Sequence, residues 1–202
     1  MLLIISKLAI SLHFMLRKIC LSTLLIAFLS IPFIVYSKDK PDRTALRIIL
    51  IRHGEKPAEG DNLSCAGFNR SVKLPAVLKA KFGIPDYIYV PAPSTGKRTS
   101  NCRMLQTILP FAIKNNLPIN TTFAVDATDL LAKKIRKQTG TIFVVWEHKQ
   151  LGDIIELLGL KNLPGKWSAD DYDSIYVITY PKNKAVLTVD KEGITPDNDC
   201  AF

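Results

Sequence analysis

Three histidines occur in the chain, His13, His53 and His148, and the last two occupy equivalent places. "IILIRH" ends on His53 and "TIFVVWEH" ends on His148. Both are apolar, β-branched runs of the kind that form a strand buried on its two faces. In an open α/β sheet, ligands bind outside the carboxyl ends of the strands, so both imidazoles are expected on one rim. Arg52 precedes His53 directly. Between the histidines, "DYIYVPAPSTGKRTSNCRMLQT" leaves a further strand through a Pro-, Gly- and Ser-rich loop and enters a helix near Cys102. Arg103 then sits in the first helical turn, where a cation opposes the helix dipole unless an anion is bound there.

Taken singly, each of these residues has a plainer reading, as a hydrogen-bonded histidine or a solvated surface arginine. Together they describe a phosphate pocket. A guanidinium donates bidentately to phosphate oxygens, and phosphoryl transfer chiefly requires positioning and charge neutralisation. A neutral imidazole can attack phosphorus to give a phosphohistidine, and nearby arginines hold an imidazole unprotonated near neutral pH. Lys97 and Arg98, in the loop before Arg103, are placed to read a second anionic group or simply to be solvated. Arg70 either reaches back toward the rim or serves packing. Glu55 and Lys56 are placed to orient the loop after His53.

The positioning elements follow from periodicity. Strands are predicted at Leu46 to Ile51, Tyr87 to Val90, Thr141 to Trp146, Ser174 to Thr179 and Ala185 to Val189. Helices are predicted at Ser64 to Lys81 and Asn101 to Asn115, with Pro75 and Pro110 inside them, and at Asp129 to Gln138 and Lys149 to Leu158. Alternating strands and helices predict an α/β three-layer sandwich with a mainly parallel central sheet. "TYPKNKAV" is expected to close an antiparallel edge hairpin.

With those residues placed, the sequence resembles the histidine phosphatase superfamily, of phosphoglycerate-mutase-like fold. The matching segments are "RHGEKP", "LSCAGFNRSVKL" for an L-S/T-x-x-G-x-x-R helix, "RMLQT", and "WEHKQLGDIIELLG". They run in family order from Leu46 to Gly159. The resemblance implies His53 as nucleophile, with Arg52, Arg103 and His148 holding the phosphoryl group, and no metal or other cofactor. Only 44 residues separate Arg103 from His148, too few for the insertion of mutase-type members, and the "WEH" form is similar to small exported bacterial members. Asp126 emerges from "LPINTTFAVDATDLL" at about the point where mutase-like members carry their acid, so it is the expected proton donor, with the N-cap of the next helix as its other reading. Glu147 is the rival, although neighbours in extended backbone point to opposite sides.

Composition sets the context. Ile19 to Tyr36 is almost wholly apolar behind Arg17 and Lys18, and small residues follow. That is a secretory signal over residues 1–37, or an uncleaved anchor, with one domain over 38–202. The expected location is therefore periplasmic or secreted, with contact to membrane only through that segment. Removing it takes three bases and no acid, so the formal charge falls from +9 to +6. Such a surface favours anionic partners, and no zinc-finger or RGG pattern points to nucleic acid. Cys65, Cys102 and Cys200 allow one internal bridge in an oxidising compartment, with three possible pairings. No C-x-x-C or H-E-x-x-H spacing suggests a metal. The function expected is hydrolysis of phosphorylated small molecules, surface glycans or lipids. The alternative is a module that binds such ligands without turnover.

Overall fold

A computed structural model describes residues 42–94, 100–161 and 167–200. Five strands form one sheet: β1 (Leu46–Arg52), β2 (Tyr87–Tyr89), β3 (Gly140–Trp146), β4 (Ser174–Thr179) and β5 (Val186–Lys191). Their order is β2-β3-β1-β4-β5. β1 pairs parallel with β3, and β3 with β2, whereas β4 is antiparallel to both β1 and β5. Four strands thus run one way and β4 runs against them. The β4–β5 hairpin closes through Pro181–Asn183, where Lys182 and Asn183 both have positive φ.

Four helices cover the sheet: α1 (Cys65–Phe82), α2 (Cys102–Asn115), α3 (Thr128–Ile135) and α4 (His148–Leu157). Successive side chains of a strand point to opposite faces, and β1 shows why its whole run is apolar. Ile48 and Leu50 pack with Leu131, Ile135, Leu151 and Ile154 of α3 and α4, while Ile49 and Ile51 pack with Leu74, Leu78, Ile108 and Phe111 of α1 and α2. Two hydrophobic cores therefore sandwich one sheet, as periodicity predicts. Helix bounds fall within a residue or two of expectation, except that α3 ends three residues early, at Ile135. Pro75 and Pro110 lie inside continuous helices and break neither.

The sheet brings β1 and β3 side by side in register, with Arg52 opposite Trp146. His53 and His148 consequently leave adjacent strands at the same end. The two helices that start at this rim are open for an anion. α2 begins after Asn101 and α4 after Glu147, and neither has a side-chain cap or an acid in its first turn. Their free N–H groups carry partial positive charge. Among the described residues no helix is long and apolar enough to cross a membrane. The segment read as a signal lies outside the described residues.

Candidate active site

His53 is buried just beyond β1, with its backbone N–H on the Trp146 carbonyl at 3.3 Å. Its Nδ1 lies 2.7 Å from the Gly54 carbonyl. A carbonyl can only accept, so Nδ1 carries the proton and Nε2 keeps its lone pair. Burial, then the charges of Arg52, Arg103 and His148, push the imidazole pKa down to about 4, against the opposing Gly54 hydrogen bond. The ring is therefore neutral through the physiological range.

The loop after His53 is clamped from two helices. The Gly54 N–H donates to Thr107 Oγ1 at 2.9 Å, and that hydroxyl donates to the Arg103 carbonyl at 2.7 Å. From α1, the N-cap Ser64 donates its N–H to the Glu55 carbonyl at 2.9 Å. Gly67 packs so closely on Glu55 that a Cβ there would land on its carbonyl oxygen. Within "LSCAGFNR", Ser64 caps, Gly67 admits the loop and Arg70 ties it down. Arg70 places Nε and Nη2 on the Glu55 carboxylate, and Nη1 on Glu192 at 2.7 Å. The expectation that Arg70 reaches the substrate is thus corrected. It is buried and saturated by two carboxylates, and it orders the loop instead. Burial pushes Glu192 up to about 7, against Arg70, with Asp173 and Glu55 adding to the rise.

Arg52 is held from the far side of the sequence. Nη1 donates to the carbonyls of Ser168, Ala169 and Asp171 at 3.1, 2.5 and 3.3 Å. The guanidinium stacks 3.9 Å from the Tyr172 ring centroid, and its Nε is buried without a partner. Burial lowers its pKa, opposed by Tyr172 and neighbouring acids. Arg103 donates to the carbonyls of Asn62 and Gly60, and Gln106 bonds Asn62 and the Leu63 N–H, so the R-x-x-Q-T turn grips the loop 60–63.

A cavity of about 90 Å³ is lined by His53, Asp61, Ser100, Asn101, Arg103, Met104 and Glu147, with Arg52 and His148 outside its lining. His148 opens α4 beside Arg52, and its charge is felt at His53. Its Nδ1 is buried without a partner. Burial, then Arg52, holds its pKa below the usual histidine value. Glu147 lines the cavity and Asp126 does not. Asp126 is exposed, beyond the Val125 carbonyl that accepts the Trp146 indole N–H, and the α3 cap position is Ala127. Asp126, the expected proton donor, is thus placed away from this cavity, and its rival Glu147 is placed on it. Lys97 and Arg98 lie outside the described residues.

Neither a scan of protein-family models nor a search of curated proteins finds a match. Solved structures do match. The protein histidine phosphatase SixA complexed with tungstate superposes with a TM-score of 0.53 at 15% identity, over 72% of this chain and 97% of that one. The putative phosphohistidine phosphatase SixA from Agrobacterium tumefaciens gives 0.50 at 17% identity, over 73% and 97%. The chain has the histidine phosphatase fold. Within that fold, sequence reasoning missed the Ser168–Tyr172 brace, Glu192, Thr107 and Asp61. Thr107 was within reach, since it closes the "RMLQT" match. Among the described residues no three His, Cys, Asp or Glu side chains stand together as a metal site.

Proposed function

We propose that this protein is an exported phosphatase that hydrolyses phosphate monoesters through a phosphohistidine on His53. The observation that carries the reading is the Nδ1–Gly54 hydrogen bond, which leaves Nε2 a neutral nucleophile among cations. Nε2 attacks phosphorus as the ester P–O bond breaks, and Glu147 supplies the proton to the departing oxygen. Arg52, Arg103, His148 and the amides opening α2 and α4 neutralise the three terminal oxygens. Water then attacks phosphorus as the P–Nε2 bond breaks, giving its proton to Glu147, releasing phosphate and returning Nε2 its lone pair. That a structure of this fold holds tungstate, a tetrahedral oxyanion, supports phosphate as the ligand class. The Cys65–Cys200 disulfide, with Cys102 free, supports export, because such bridges persist in oxidising compartments.

The test is an aryl-phosphate assay from acid to neutral pH. Turnover is expected, with kcat/KM falling below about pH 4 as His53 is protonated. Phosphate binding without turnover would instead make the protein a binding module.

A further inference from the structure

Beside the cavity lies a groove of about 820 Å³ between the start of α1 and one face of α2. On α2 it is lined by Gln106, Leu109, Pro110 and Ile113, the i, i+3, i+4, i+7 spacing of a single helical face. Leu109 and Ile113 are 39% and 71% exposed. Leu63, Phe68 and the Cys65–Cys200 bridge form the opposite wall.

Cavity and groove are lined by neighbouring residues. Asp61 lines the cavity and Asn62 the groove; Arg103 lines the cavity and Gln106, one turn on, the groove. The cavity is of phosphate size, well under the roughly 300–1,000 Å³ of sites that hold a whole small ligand, whereas the groove falls within that range. The organic part of a bound ester therefore has to lie outside the cavity, and the groove is the apolar surface lined by the next residues along, Asn62 and Gln106. Its walls offer few polar groups to a sugar, but they suit a hydrocarbon.

We infer that the groove binds the apolar chain of an amphiphilic phosphate monoester whose phosphate enters the His53 cavity. The inference rests on the phosphatase reading for its head group and on the groove for its tail. It is tested by measuring kcat/KM and calorimetric affinity of the full-length chain for ethyl, hexyl and dodecyl phosphate, each below its micellar concentration. Both quantities should rise with length by about two- to threefold per methylene until the groove is filled, since a buried methylene is worth up to ~0.8 kcal/mol. Leu109→Gln and Ile113→Gln should each lower both by about tenfold for dodecyl phosphate and leave ethyl phosphate unchanged. Turnover without chain-length preference, or a preference that survives both variants, would overturn the groove while the phosphatase reading stands. If no ester is turned over, the calorimetry decides. Dodecyl phosphate binding no tighter than inorganic phosphate overturns the groove. Tighter binding that Ile113→Gln abolishes sustains it. A dimer that Ile113→Gln dissociates would give the face to a second copy of the chain and defeat the inference.

Discussion

At the scale of single residues, the site separates groups that act from groups that aim. In the proposed mechanism His53 acts through Nε2, because Nδ1 is committed to Gly54. Arg70 has the charge for phosphate, yet two carboxylates consume it. The proton donor is the sharpest residue-level question, and the proposal takes Glu147, which lines the cavity, over the exposed Asp126. A general acid contributes about 10²- to 10⁴-fold, most for a poor leaving group. Glu147→Gln should therefore lose about 10²-fold or more on an alkyl phosphate and far less on an aryl phosphate. Asp126→Asn should lose little on either. Steady-state kinetics on the two esters check this, and the reverse pattern would return the role to Asp126. The candidate nucleophile and the cations near it were legible in sequence because each sits at or just beyond a strand end or in a first helical turn. The place of Glu147 was not, because which of two alternating neighbours lines the cavity depends on how β3 is seated, and the lining holds Glu147 rather than His148.

At the scale of elements, α1 and α2 position the His53 loop from opposite sides, and their motifs are the grip. Gly67 is where α1 and the loop come closest. Gly67→Ala forces the two apart, so we expect a loss of about 1–3 kcal/mol in stability, as for other overpacked sites. A fall in kcat beyond tenfold should accompany it, since displacing a reacting group by about 1 Å costs on the order of 10²-fold. Thermal melts and kcat measured on the same sample check both, and full activity in a destabilised variant would mean that the approach does not aim His53. Five strands and four helices could be read from apolar periodicity, because local pattern sets local structure. The brace on Arg52 could not. Its donors end on backbone carbonyls of Ser168, Ala169 and Asp171, more than a hundred residues away, and a carbonyl leaves no mark in a sequence. Glu192 was hidden likewise, 122 residues from Arg70.

At the scale of the whole molecule, one covalent tie joins the start of α1 to the end of the described chain. Cys65 and Cys200 are 135 residues apart, a span that composition restricted to one of three pairings without selecting it. Closing a long loop restrains the unfolded chain, and removing a native bridge costs roughly 2–5 kcal/mol. Cys65→Ser with Cys200→Ser should lower stability on that scale while Cys102→Ser changes it little, and denaturant titrations check the difference. Equal stability of the two would mean that the bridge contributes nothing to the fold.

Whether phosphate passes through His53 itself is read by a rapid quench of labelled substrate followed by localisation of the label. Alkali-quenched protein should carry phosphate on His53, acid-quenched protein should carry little because phosphohistidine is acid-labile, and His53→Ala should carry none and turn over nothing. Label that survives acid, label on another residue, or an active His53→Ala enzyme would contradict the account.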